Sequence, residues 1–128
     1  MNESDIENYA KSLLALVGTA AILKRASIEG GEWQPQANMC HDNVTMWCDI
    51  SPSYKPVRGW LYFDLQDMPF VKFIAHSVVR TPAGELRDIT PSNASQEYPF
   101  IESGLSNEEY EELVEANGCR HFTLKTNA

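Results

Sequence analysis

The tetrapeptide Thr81-Pro82-Ala83-Gly84 constrains the architecture of this chain more than any other segment. Pro82 locks φ where a type I turn needs it, and Gly84 supplies the left-handed residue of a G1 bulge, so the chain should reverse through a three-residue hairpin loop. Phe70 to Thr81 is rich in β-branched and aromatic residues, and Glu85 to Thr90 is expected to return antiparallel to it. With three residues in the loop, Thr81 faces Glu85, Val78 faces Asp88 and His76 faces Thr90. His76 and Asp88 then share a face as diagonal neighbours, about 7–8 Å apart at the backbone, which lets their side chains meet. A loop one residue shorter would put them on opposite faces.

Around this hairpin the sequence predicts further elements. Ser4-Asp5-Ile6-Glu7 spells a capping box, and Ile6, Tyr9, Leu13, Leu16, Val17, Ala20 and Leu23 recur at helical spacing until Gly30-Gly31 ends the segment. A second helix should start near Met39 or Cys40 and run to about Asp49, because Pro52 and Pro56 forbid its continuation. Val57 to Leu65 reads as a strand joined to the next by a turn at Asp67-Met68-Pro69. Ser106-Asn107-Glu108-Glu109 is another capping box, opening a helix through Val114 that Gly118 can end, and Cys119 to Lys125 reads as a last strand. The expected fold is α+β, with helices packed on a largely antiparallel β-sheet. A length of 128 residues fits a single domain, 1–128.

Charge and cysteine content narrow the function. A net charge of -8 opposes the tracking of phosphates, so neither nucleic acid nor an anionic membrane surface is an expected partner. Cys40, Cys48 and Cys119 form no C-x-x-C pair and no even-numbered framework, which favours reduced thiols. The apolar run Leu13 to Leu23 is too short to span a bilayer, and the residues before it are acidic where an export signal is basic. A cytoplasmic location is expected. Glu108, Glu109, Glu111, Glu112 and Glu115 form an acidic helix face, either simply solvated or a docking face for a basic protein partner.

Three sites then stand out: Gln34 to Cys40 at a loop-to-helix junction, His76 in a strand, and Asp88 in the next strand. A helix N-terminus and a nearby imidazolium both stabilise a thiolate, and a carboxylate orients the imidazole. If the N-terminus of the Cys40 helix meets the His76 face, the three residues make a Cys-His-Asp triad for acyl transfer on an amide-type bond of a peptide or similar substrate. The Cys40 N–H and a side-chain donor such as Gln34 would bind the oxyanion. Each residue also has a structural reading. Cys40 can be a small buried hydrophobe, His76 a hydrogen-bonded core residue, and Asp88 the Asx cap of a strand exit. Gln34 has competitors in Gln36 and Asn38, and His41 is a rival base. Trp33, Trp47, Trp60 and Tyr62 suit a core or a groove wall. Cys40, His41, Cys48, His76, Asp88 and His121 could ligate a metal, but their spacing lacks the paired ligands of a zinc site, so no metal or cofactor is expected.

The segment from His76 to Pro91, with His on one strand and Asp followed by Ile89-Thr90-Pro91 after a short hairpin, resembles the His-to-Asp strand pair of papain-like and transglutaminase-like cysteine enzymes. The chain order Cys, His, Asp agrees with that superfamily. Gln34, six positions before Cys40, is similar to its oxyanion glutamine, and Cys40-His41-Asp42-Asn43-Val44 resembles the nucleophile segment of small bacterial proteins that share the strand pair. The resemblance covers Gln34 to Pro91 and implies a papain-like core, with Cys40 as nucleophile, His76 as base, Asp88 as its orienter and Gln34 as oxyanion donor. The chain departs from that pattern at His41 and Ser77, where many relatives carry aromatic residues. A non-catalytic binding or regulatory module on the same core is the alternative, and a metal-binding domain a further one.

Overall fold

The computed structural model describes residues 3–28, 33–64, 68–91, 98–116 and 121–125. In chain order these form α1 (Glu3–Ala15), β1 (Ala21–Ile22), β2 (Lys24–Arg25), α2 (Cys40–Ile50), β3 (Lys55–Asp64), β4 (Phe70–Arg80), β5 (Leu86–Asp88), β6 (Pro99–Glu102), α3 (Asn107–Ala116) and β7 (His121–Lys125). The α+β expectation holds, but the sheet is mixed rather than largely antiparallel: β2 runs parallel to β5, with Lys24 opposite Arg87 and Arg25 opposite Asp88. That parallel strand arises from a stretch whose apolar spacing predicts more helix. The helix ends at Ala15 instead, and a 3₁₀ turn follows at Val17–Thr19. Gly18 costs a helix about 1 kcal/mol relative to alanine, and the β-branched Val17, Thr19 and Ile22 favour extended backbone. At the other end the helix already includes Glu3, so Ser4 lies within its first turn rather than capping it.

By its contacts the chain forms two compact units. One comprises Met1–Ala21, Gly59–Ala75 and Tyr98–Ala128; the other comprises Ile22–Arg58 and His76–Glu97. In the first, β6 pairs antiparallel with β3, and β7 with β4. Val71, Phe73 and Ala75, alternate residues of β4, face one way into a core with Ala10, Leu13 and Trp60. Within that core, Trp60 Nε1–H donates to the Tyr9 hydroxyl at 2.8 Å, and the hydroxyl donates onward to the Ser103 carbonyl at 2.7 Å. Burial pushes the Tyr9 phenol up to about 12, against the pull of side-chain hydrogen bonds with Trp60 and Ser103, so it stays a neutral donor. Gly59 admits no side chain, because a Cβ there would run into the Ile101 carbonyl and lie 2.6 Å from Phe100 Cζ. The capping box at Ser106 is formed in both directions: the Ser106 amide donates to Glu109 Oε1 and the Glu109 amide to Ser106 Oγ, each at 3.1 Å. Gly118 and Cys119, and the Leu65 and Asp67 ends of the proposed strand and turn, fall outside the described residues.

The second unit contains the hairpin. Thr81 N–H donates to the Glu85 carbonyl and Gly84 N–H to the Thr81 carbonyl, both at 2.8 Å, and Gly84 has φ of 87°. Val79 lies opposite Arg87 and Arg80 opposite Leu86, the register that a three-residue loop dictates. Helix α2 starts at Cys40, within the expected range, and buries Val44 and Trp47 against Val79 and Ile89. Trp33 stacks on Trp47 at 6.3 Å between centroids, and Tyr54 meets it edge-on at 5.5 Å. Among the described residues, no helix is long and apolar enough to cross a membrane.

Candidate active site

Cys40, His76 and Asp88 all belong to the second unit. His76 Nε2 lies 2.9 Å from Asp88 Oδ2, and both side chains are almost enclosed, at 14% and 9% exposure. The diagonal pairing inferred from the turn is therefore realised as a hydrogen bond. The other carboxylate oxygen, Oδ1, accepts the Thr90 amide at 3.1 Å. Asp88 thus caps the strand exit and orients the imidazole at once, because its two oxygens serve the two tasks separately. With Nε2 held by Asp88, Nδ1 is the nitrogen left for the Cys40 sulfur, to which His76 is hydrogen-bonded. Cys40 is the first residue of α2, where backbone N–H groups have no intrahelical acceptor and the helix dipole favours negative charge.

The electrostatics follow from these contacts. Burial alone would push the Cys40 thiol up, but hydrogen bonds from His41 and His76, together with their charge, pull it down to about 5. For His76, burial favours the neutral ring, yet the hydrogen bonds and negative charges of Asp88 and Cys40 raise it to about 9. Across neutral pH the pair is therefore a thiolate and an imidazolium. Cys48 behaves in the opposite way: burial dominates and raises its thiol, with Arg58 only partly offsetting it.

Several site residues escaped the sequence reading. Asn43, only 3% exposed, donates through Nδ2 to the Gln36 carbonyl at 2.7 Å and to Thr90 Oγ1 at 3.1 Å, while its Oδ1 accepts the Gln36 amide at 2.9 Å. It fastens the loop before Cys40 to the strand exit after Asp88. The available signal was an asparagine among the buried positions Val44 and Trp47 of α2. Arg58 donates through Nη1 to Ser77 Oγ at 2.9 Å and to the His41 carbonyl at 3.3 Å, and through Nη2 to Thr45 Oγ1 at 2.9 Å. Ser77 Oγ in turn lies 2.5 Å from His41 Nδ1. His41 and Ser77 therefore contact each other.

Gln34 lies in the loop before α2. It is exposed, its carbonyl accepts Gln36 Nε2–H at 3.2 Å, and it lines a cleft of about 400 Å³ with Arg25, Ile28, Asp88, Ile89 and Thr90. Asp88 is part of that lining, and Cys40 and His76 are not. Of the rival donors, Gln36 is tied by both backbone groups to Asn43, and Asn38 sits in the left-handed region with φ of 64°. Among the described residues no three His, Cys, Asp or Glu side chains are arranged to hold a metal ion, and the side chain of His121 lies outside them. Comparison with family models, with curated proteins and with solved structures gave no match to this chain.

Proposed function

We propose that this protein is a thiol-dependent hydrolase or acyltransferase with a papain-like core, acting on an amide-type bond of a peptide or related substrate. The observation that carries the reading is the continuous chain from Cys40 through His76 to Asp88, in which sulfur is held as thiolate by an imidazole that a buried carboxylate backs. A purely structural cysteine has no need of that arrangement, and Cys48 in the same unit lacks it. In the proposed cycle the Cys40 thiolate adds to the substrate carbonyl, and the first-turn N–H groups of α2 receive the oxyanion. The imidazolium of His76 gives its Nδ1 proton to the departing amine, leaving a thioester. The neutral ring then takes a proton from water or a second amine, which attacks the thioester and frees the sulfur. The cleft beside Asp88 is the proposed substrate-binding surface, with Gln34 at its wall as a second polar donor. A thiolate that must stay reduced suits the cytoplasm.

The test uses p-nitrophenyl acetate and intact mass. Acylation should add one acetyl group at Cys40, followed by its release to water, and both should vanish in Cys40→Ala. An absence of acetylated Cys40, with Cys40 alkylating no faster than Cys48 at pH 6, would sink the proposal.

A further inference from the structure

Residues 25–28 run along the cleft beside Asp88, and the pairing of β2 with β5 sets their register. Arg25 lies opposite Asp88, and the next amide, that of Ala26, donates to the Asp88 carbonyl at 3.0 Å. Residues opposite each other on paired strands point to the same side of a sheet, so Arg25 shares the face of Asp88 and His76. Yet the arginine does not bond the carboxylate beside it. Asp88 gives Oδ2 to His76 and Oδ1 to the Thr90 amide, while Arg25 donates through Nη1 to the Thr90 carbonyl at 3.0 Å. Thr90 is held a third time, at Oγ1, by Asn43, so the anchor of the guanidinium is itself fixed. A guanidinium has five N–H donors, and one bond from Nη1 leaves the Nε and Nη2 edge as a fork that matches the two oxygens of a carboxylate.

Arg25 and Asp88 are the charged residues of the cleft wall. The imidazolium of His76 compensates Asp88, 2.9 Å away, which leaves the exposed guanidinium as the uncompensated charge. Ile28, Pro35, Ile89 and Pro91 give the same cleft apolar surface. We propose that Arg25 determines the specificity of the cleft, and that the substrate is a peptide-type amide bearing a carboxylate which this guanidinium grips. The proposal rests on the acyl-transfer reading above and names its substrate class. A net charge of -8 repels an anion at long range, but screening confines that repulsion, and within about 10 Å the local cation decides. The carboxylate can come from an acidic side chain or from the end of a peptide, since both present the same pair of oxygens.

Three peptides provide the test: acetyl-Ala-Ala-Gln-amide, which is neutral; acetyl-Ala-Ala-Glu-amide, with a side-chain carboxylate; and acetyl-Ala-Ala-Gln with a free C-terminus. In the full-length protein carrying Cys40→Ala, calorimetry should show at least one carboxylated peptide binding about tenfold or more tighter than the neutral one, the value of a charge-assisted fork. Which of the two does so identifies the source of the carboxylate. Adding Arg25→Gln should abolish the preference and Arg25→Glu should reverse it, whereas Arg25→Lys should keep part, because charge remains while the fork is lost. In the parent protein, the tighter peptide should slow acylation of Cys40 by p-nitrophenyl acetate competitively. Equal or undetectable binding of all three peptides overturns the role of Arg25, and so does a preference that survives Arg25→Gln and Arg25→Glu. Tight binding that leaves acylation of Cys40 untouched overturns it too. These results, with Cys40 still acylated, leave the acyl-transfer reading standing. A parent protein that p-nitrophenyl acetate does not acylate at Cys40 overturns that reading and this inference with it.

Discussion

Asp88 shows how one side chain satisfies a structural and a chemical demand together. Its Oδ1 holds the Thr90 amide and its Oδ2 holds His76. Asp88→Asn keeps an oxygen for Thr90 but removes the charge that supports the imidazolium. The expected result is a fall of about 10²-fold or more in acylation of Cys40, with little loss of thermal stability, checked by p-nitrophenyl acetate kinetics beside a melting curve. The pH dependence has a fixed sign. The proposed activity requires the thiolate, lowered to about 5, and the imidazolium, raised to about 9. It should rise as pH climbs through the first value and fall as pH passes the second, and Asp88→Asn should move the alkaline limb to lower pH. An alkaline limb that stays in place in this variant would contradict the assignment of His76 as the acid. The His76–Asp88 pair was legible at this scale because turn chemistry alone fixed the faces of the two residues. Asn43 and Arg58 were not, since their partners Thr90 and Ser77 lie 47 and 19 residues away.

At the scale of elements, the three-residue loop of the β4–β5 hairpin sets the geometry of the His76–Asp88 pair. Deleting Ala83 would leave a two-residue loop and slip the register by one, sending His76 and Asp88 to opposite faces. The alkylation midpoint of Cys40 should then climb toward the free-thiol value of about 8.5. A midpoint that remains low after the deletion would mean that the hairpin does not hold the pair. Strand β3 has a comparable single point of constraint. Gly59→Ala presses a methyl group on the Ile101 carbonyl and the Phe100 ring, and should cost about 1–3 kcal/mol in urea unfolding. The capping boxes illustrate why local signals succeed unevenly. Ser106 forms both reciprocal bonds, whereas Ser4 lies inside its helix. The apolar stripe past Ala15 misled for a further reason: residues that alternate between helix and strand spacing carry no preference of their own, and β2 takes its conformation from β5.

At the scale of the molecule, the acidic balance decides which partners approach. With a net charge of -8, the protein should leave the fluorescence anisotropy of a labelled DNA duplex unchanged even in low salt, where phosphate binding is strongest. A salt-sensitive rise would overturn the exclusion of nucleic acid. The acidic residues Glu108, Glu109, Glu111, Glu112 and Glu115 are exposed along α3, in the first unit, while Cys40, His76 and Asp88 belong to the second. The sequence by itself determined the α+β class, the hairpin register, a start of α2 near Met39 or Cys40 and the shared face of His76 and Asp88, since each follows from interactions between residues close in the chain. Tertiary structure alone decided the parallel β2–β5 pairing, the burial of Asn43 and the line from Arg58 through Ser77 to His41. Those depend on which distant segments meet, and local backbone preference carries no record of that.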